Sequence, residues 1–367
     1  HDIKWLVKML YRAKKVDKCV LFHVKTVKGK GYAPAEKQPQ MYHGVSKFNY
    51  RLRKIDNNKR DYSTVFGEEL IKIAEKNKRV VAVTAAMPSG TGLIEFAEKF
   101  PKRFFDVGIA EQHAVTTAAG MAINGLIPVV PIYSTFMQRG FDSILHDVCF
   151  QNLHVVLCGD RAGIVGEDGE THQGVFDLSF MRMMPNMTIL APADFNQLKA
   201  MLKYAVNRHN SPIFIRYPRG GEDADVSKSA RNFECGKAEI IKEGKDVCII
   251  AAGRMTAKSI KTAEILESRG ISTKVIDVRT VKPLDRETIL NALKGISLAV
   301  TVEDNIIDGG MGEELLRIIN DSKEKTDFLI KAYECGQIEH GKADELMKLC
   351  KMDSESIADE ITARIRR

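Results

Sequence analysis

A chain of 367 residues, 44% apolar and 28% charged, has the composition of a globular protein too long for one ordinary core, and two or three domains are expected. Its formal charge of +7 arises from 55 basic and 48 acidic residues dispersed along the sequence, without the basic tracts of a nucleic-acid partner, and no apolar run nears the roughly 20 residues of a membrane span. Seven widely spaced cysteines, an odd number without close pairs, read as buried thiols of a reducing cytosol and not as disulfides or zinc ligands.

The chain opens on an amphipathic helix expected over residues 3–14, with Asp2 as its N-cap, and carries no signal-peptide pattern there. A strand is expected over residues 20–26. One helix and one strand cannot bury a core, so residues 1–49 read as the end of a fold begun upstream. Residues 38–61 turn polar, and 50–61 are taken as a linker.

Residues 62–220 form the next domain. Strands expected at 80–85, 128–133, 155–159, 188–192 and 213–217 alternate with helices at 64–76, 111–124, 139–150 and 195–207. Such alternation implies an α/β domain with a mostly parallel sheet covered on both faces. A second polar linker, 221–234, leads to a smaller α/β domain over 235–367. Its strands are expected at 247–251, 273–278, 298–302 and 328–332, with helices at 257–269, 285–293 and 311–319.

Open parallel sheets bind ligands beyond the carboxyl ends of their strands, so polar residues just after the strand-like runs carry the most weight. Residues 106–113 place Glu111 and a histidine at the start of a small-residue helix; the bland reading is a carboxylate complementing the helix dipole. Residues 160–174 set Arg161, Asp168 and His172 among four glycines, either as a ligand-shaped loop or as a solvated connection. Arg216 and Arg219 end another strand, where arginines suit phosphate or form surface ion pairs. After the strand at 128–133 come Tyr133, Phe136 and Arg139, whose aromatics could equally be core.

Together these clusters have a specific spelling: FDVGIAEQHAV at 105–115, IYSTFMQR at 132–139, LHD at 145–147, DRAGIVG at 160–166, GETHQG at 169–174 and RYPRG at 216–220. With KGKGYAPAE at 28–36, Tyr42-His43, RTVKPL at 279–284, Val302-Glu303 and GGMG at 309–312, the sequence resembles the 1-deoxy-D-xylulose 5-phosphate synthases over nearly its whole length. The resemblance implies a transketolase-like, thiamine-diphosphate- and magnesium-dependent transferase, cytoplasmic and homodimeric. Such an enzyme joins pyruvate to D-glyceraldehyde 3-phosphate with loss of carbon dioxide, feeding isoprenoid, thiamine and pyridoxal synthesis.

The resemblance also implies residue roles. Glu111 matches the glutamate on N1′ of the cofactor's aminopyrimidine, Phe136 the aromatic that stacks on that ring, and Tyr133, Arg161 and Arg219 the groups holding the acceptor phosphate. Asp168 matches an acid that pairs with arginines to gate the donor-bound state, and His172 and Arg139 match groups near the donor carboxylate. His43 and Lys28 match groups near the reacting carbon. Residues 62–220 then correspond to a pyrimidine-binding domain and 235–367 to a transketolase C-terminal domain. Residues 1–49 correspond to the last helix and strand of a diphosphate-binding domain, whose Gly-Asp-Gly motif for magnesium and diphosphate has no match in this sequence, so the chain alone is expected to be inactive. The competing readings are a split-transketolase C-terminal subunit, a 2-oxo-acid dehydrogenase β subunit, or a non-catalytic scaffold chain.

Overall fold

A computed structural model describes residues 1–39, 42, 60–223, 226, 233–322, 326–334 and 338–366. The chain forms two compact units, His1–Asn58 and Lys59–Arg367.

In the first unit the helix Ile3–Lys14 forms as its pattern dictates, with the Asp2 carboxylate accepting from Trp5 N–H at 2.9 Å. The strand expected at 20–26 does not form: these residues are exposed and irregular, and a lone extended run gains no ladder bonds without a neighbouring strand. Lys28 lies in an exposed turn before the short helix Ala33–Lys37. His43 lies outside the described residues.

The second unit contains two sheets. Their strands are β1 Val80–Thr84, β2 Phe104–Asp106, β3 Ile127–Tyr133, β4 Val156–Asp160, β5 Thr188–Leu190, β6 Ile213–Tyr217, β7 Glu239–Lys242, β8 Val247–Ala251, β9 Thr273–Asp277, β10 Thr280–Lys282, β11 Leu298–Ile306 and β12 Asp327–Tyr333. The first sheet runs β10-β5-β6-β4-β3-β1-β2 and is parallel except for β10, which pairs antiparallel with β5. The second runs β12-β11-β8-β9-β7 and is parallel except for β7. The central strands β1, β4, β6, β8 and β11 are buried along their whole length, the pattern expected where helices cover both faces. One continuous apolar core joins Ile132, Leu157 and Phe214 of the first sheet to Ile250, Ile276 and Ala299 of the second.

Two further expectations need correction. The single helix expected at 139–150 is instead a 3₁₀ turn, Gln138–Gly140, one α-turn, Phe141–Ser143, and a π-helix, Ile144–Cys149. Apolar spacing does not encode that change of winding, which lets Gly140 approach Val115 closely and Asp147 accept a 2.6 Å bond from the Thr116 hydroxyl. Of the cysteines, Cys149, Cys158 and Cys248 are buried, but Cys19 is exposed and Cys235 and Cys350 are half-buried, while Cys335 lies outside the described residues.

Candidate active site

Three strands of the first sheet deliver side chains to its carboxyl edge: β3 ends at Tyr133, β4 at Asp160, β6 at Tyr217. The helix Glu111–Ile123 begins beside them. Its approach is fixed by Asp106, whose Oδ1 accepts from Ala86 N–H (2.8 Å) and Gly108 N–H (3.0 Å). Glu111 therefore stands at the first helical position, 2% exposed, and Arg139 Nη1 donates to its Oε1 at 2.8 Å.

From Glu111 the residues form a continuous line. The Arg139 guanidinium lies 5.0 Å from the Phe136 ring centre, and Phe136 lies nearly parallel to Tyr133 at 5.8 Å. The Arg161 guanidinium covers the Tyr133 ring at 3.9 Å. His172 meets the Phe136 ring edge-on at 5.2 Å, with its Nδ1 3.0 Å from Thr171 Oγ1. Burial pushes the Tyr133 phenol up to about 12, despite the neighbouring Arg161, so it stands as a neutral donor.

Arg161 is held from several sides. It adopts φ +61°, in the left-handed region, and its Nη1 donates to Gly90 O and Asp160 Oδ1, both at 2.8 Å. Asp160 is fully buried and also accepts from the Ser63 hydroxyl at 2.7 Å. Burial raises its carboxyl to about 6, with Arg161 opposing that rise. Burial disfavours charge on Arg161, but the carboxylates Asp160 and Asp168 outweigh it and hold its pKa above the usual value.

Asp168 is shared. One oxygen lies 3.3 Å from Arg161 Nε and the other 3.3 Å from Arg219 Nη2, while Arg219 Nη1 donates to Val165 O at 3.3 Å. The loop that presents Asp168 is closed on itself by paired backbone bonds between Gly163 and Gly174, of 2.7 and 2.8 Å. Glycine is required at 174, where a Cβ would meet Arg161 O at 2.2 Å.

Glu111, Tyr133, Phe136, Arg139, Arg161, Asp168, His172 and Arg219 are thus gathered at one sheet edge. Lys28 belongs to the other unit. Sequence reasoning missed Asp160, Ser63 and Gly90, the inner supports of Arg161; a carboxylate ending a fully apolar strand was the available signal for Asp160. It also read Arg216 and Arg219 together, as arginines that suit phosphate or form surface ion pairs. Arg216 is instead buried, donating to both Asp177 oxygens at 3.1 and 2.9 Å.

Comparison with known proteins follows the same two layers. The transketolase pyrimidine-binding domain matches residues 58–221 and the transketolase C-terminal domain residues 236–357. A split-gene transketolase solved as an inactive β4 tetramer is 30% identical, with a TM-score of 0.76 over 83% of this chain and 98% of that one. The chain belongs to the transketolase family. Among curated transketolase-family relatives, the 1-deoxy-D-xylulose-5-phosphate synthase of Caldanaerobacter subterraneus subsp. tengcongensis is 49% identical over 100% of this chain and 59% of its own length. That of Clostridium perfringens (strain 13 / Type A) is 49% identical over 98% of this chain and 58% of its own length. The chain therefore spans somewhat under two thirds of the synthases it matches. A transketolase from Pichia stipitis, 17% identical with a TM-score of 0.67, shares the fold.

Proposed function

We propose that this chain is the part of a 1-deoxy-D-xylulose 5-phosphate synthase that binds the cofactor's pyrimidine and the acceptor substrate. The observation that carries the reading is Asp168 shared between Arg161 and Arg219 through two 3.3 Å contacts. Two guanidiniums that converge on one carboxylate form a seat that the oxyanions of a phosphate can take over, with shorter charge-assisted bonds. The carboxylate then acts as a displaceable occupant of that seat.

The other end of the line fits the pyrimidine half of thiamine diphosphate: Glu111 offers a buried carboxylate to a ring nitrogen and Phe136 an aromatic face beside it. When bound, that cofactor supplies a carbanion-stabilising centre for decarboxylating a 2-oxo acid. Glu111 holds the proton at the pyrimidine nitrogen, Arg139 orients Glu111, and His172 faces the donor carboxylate from the rim of Phe136. Magnesium and the diphosphate are assigned to residues outside this chain, and Lys28 and His43 to the reacting carbon. The identity of 49% to synthases against 30% to the split transketolase favours the synthase. A reducing, cytoplasmic setting agrees with the unpaired cysteines among the described residues, and a homodimer is part of the same reading.

The full-length protein containing this chain should release carbon dioxide from pyruvate in the presence of D-glyceraldehyde 3-phosphate and show no turnover with ketose phosphate donors. The opposite preference would assign it to transketolase. The 367-residue chain by itself should fold, lack activity, and bind thiamine diphosphate with magnesium no tighter than about millimolar, since one carboxylate bond and one stacked ring supply only about 4 kcal/mol. Micromolar binding in a calorimetric titration would place the diphosphate site within the chain.

A further inference from the structure

The second sheet has its own position for a ligand. Its order turns about β8, which has β11 on one side and β9 on the other, and in open α/β sheets the crevice at such a reversal is where ligands bind. Here three consecutive polar residues, Glu303, Asp304 and Asn305, are buried at the carboxyl end of β11. They stand where its register with β12 shifts between Val302 and Ile306, an irregularity that re-aims side chains. Glu303 accepts from Met311 and Gly312 N–H at 2.7 Å and caps the helix Met311–Asn320. Asp304 and Asn305 instead reach into the first sheet's loop.

Asp304 Oδ1 accepts a 2.6 Å bond from the Tyr333 hydroxyl and a 3.3 Å bond from Ile164 N–H. Its Oδ2 faces Arg254 Nε at 3.9 Å, just beyond β8, and a Cβ at Gly163 would lie 1.7 Å from that oxygen. Only glycine at 163, φ +76°, lets the loop come down onto the carboxylate. Asn305 accepts from Leu178 N–H at 3.1 Å, Ile306 N–H donates to Val175 O at 2.8 Å, and Gln173 Nε2 donates to Glu339 O at 3.2 Å. The ligand position of the second sheet is thus filled by the loop that carries Arg161, Asp168 and His172.

We propose that Asp304, braced by Tyr333 and Arg254, is a positioning residue for the acceptor site: by seating the Gly163–Gly174 loop it sets where Arg161 and Asp168 stand. This rests on the reading of Arg161 and Arg219 as the phosphate seat. Loss of that brace lets the limb after Arg161 lift, so Arg161 and Asp168 stand less often in the phosphate-binding geometry, while Glu111 and Phe136, carried by other elements, and His172, whose neighbour Thr171 accepts a 3.0 Å bond at its carbonyl from Thr135 Oγ1, keep theirs.

The test compares Asp304→Asn and Tyr333→Phe with Arg161→Ala in the full-length protein. Asp304→Asn should raise KM for D-glyceraldehyde 3-phosphate about tenfold while KM for pyruvate stays within about twofold, and Tyr333→Phe, which keeps the volume and removes one hydroxyl, should show the same split at smaller size. A purely structural role lowers the folded fraction and hence kcat, without singling out one substrate. In the 367-residue chain, hydrogen–deuterium exchange should speed up across Gly163–Gly174 and remain unchanged in β4 and β6. Equal changes in both KM values, or unaltered exchange in the loop, overturn the proposal. Should Asp304→Asn fail to fold, the Tyr333→Phe split decides. An effective Arg161→Ala beside silent Asp304→Asn and Tyr333→Phe sinks this inference alone, whereas a silent Arg161→Ala removes the phosphate seat and the inference with it.

Discussion

The two sheets of the larger unit end in opposite ways. At the carboxyl edge of the first, charged side chains remain partly open to solvent: Arg139 is 53% exposed and Arg219 35%, around a buried Glu111. At the corresponding edge of the second, Glu303, Asp304 and Asn305 are fully enclosed: Glu303 and Asn305 accept from backbone amides, and Asp304 Oδ1 accepts from the Tyr333 hydroxyl and Ile164 N–H while its Oδ2 faces Arg254 without a hydrogen bond. The same architecture yields an open edge where polar groups are left with capacity to spare, and a joint where most of that capacity is spent within the protein. Charges at the first edge should therefore govern chemistry with little effect on stability, whereas charges between the sheets should act on stability, and on chemistry only where, as at Asp304, they seat a loop of the first edge.

The strongest way to break this contrast is Glu111→Gln in the full-length protein. A Gln cannot share a proton with the pyrimidine nitrogen, so exchange of the cofactor's acidic C–H for deuterium should fall about a thousandfold or more, with the melting temperature unchanged. Unimpaired exchange would remove Glu111 from the site. Asp177→Ala tests the other side: it strands the buried Arg216 guanidinium and should lower the unfolding free energy by about 3–5 kcal/mol, read from denaturant midpoints. Removing a buried partner costs that much because the remaining charge keeps its desolvation penalty. A loss below about 1 kcal/mol would show that the joint is not held by charge.

Between these extremes, Arg161→Ala and Arg219→Ala should each raise KM for D-glyceraldehyde 3-phosphate by about tenfold to a hundredfold, the equivalent of about 1.5–3 kcal/mol, and leave KM for pyruvate nearly unchanged. Equal effects on both substrates would move the arginines out of the phosphate seat. The smallest effect is in pH. Burial raises the Glu303 carboxyl from 4.5 to about 7, against the two amides and Arg182 that favour its charged form. Because the folded value lies above the unfolded one, the folded state keeps the proton, and this contribution is present below pH 4.5 and lost as pH rises through 7. Glu303→Gln should flatten that part of a stability–pH profile; an unchanged slope would assign it to Asp277 and Asp160, whose carboxyls burial raises to about 6.

Sequence legibility follows the same division. The central strands β6 and β8 were readable residue for residue because burial on both faces demands runs of β-branched and apolar residues, interrupted in β6 only by Arg216. The edge strands β2, β7 and β10 were not, since three or four residues of mixed polarity become a strand only when a neighbour offers its ladder. Residues 20–26 show the converse, an apolar run that stayed irregular. In the candidate site, Glu111, Arg161 and Arg219 could be singled out because they follow strands or open a helix, while roles for them came only with the resemblance of the surrounding motifs. The supports of Arg161 were hidden, Gly90 lying 71 residues away and Ser63 97 from the Asp160 it bonds, distances that no local pattern spans.

Strand β10 gives the fold a further property. It follows β9 of the second sheet, yet it lies antiparallel on β5 of the first, and Ala191 N–H bonds to Arg279 O at 2.9 Å beside it. Residues 60–223 expressed alone would leave β5, the wholly buried Thr188-Ile189-Leu190, as a bare outer strand, a template for pairing with other chains. The C-terminal sheet thus lends the first its outermost strand, and a cut between the two domains should yield aggregates in place of two soluble halves.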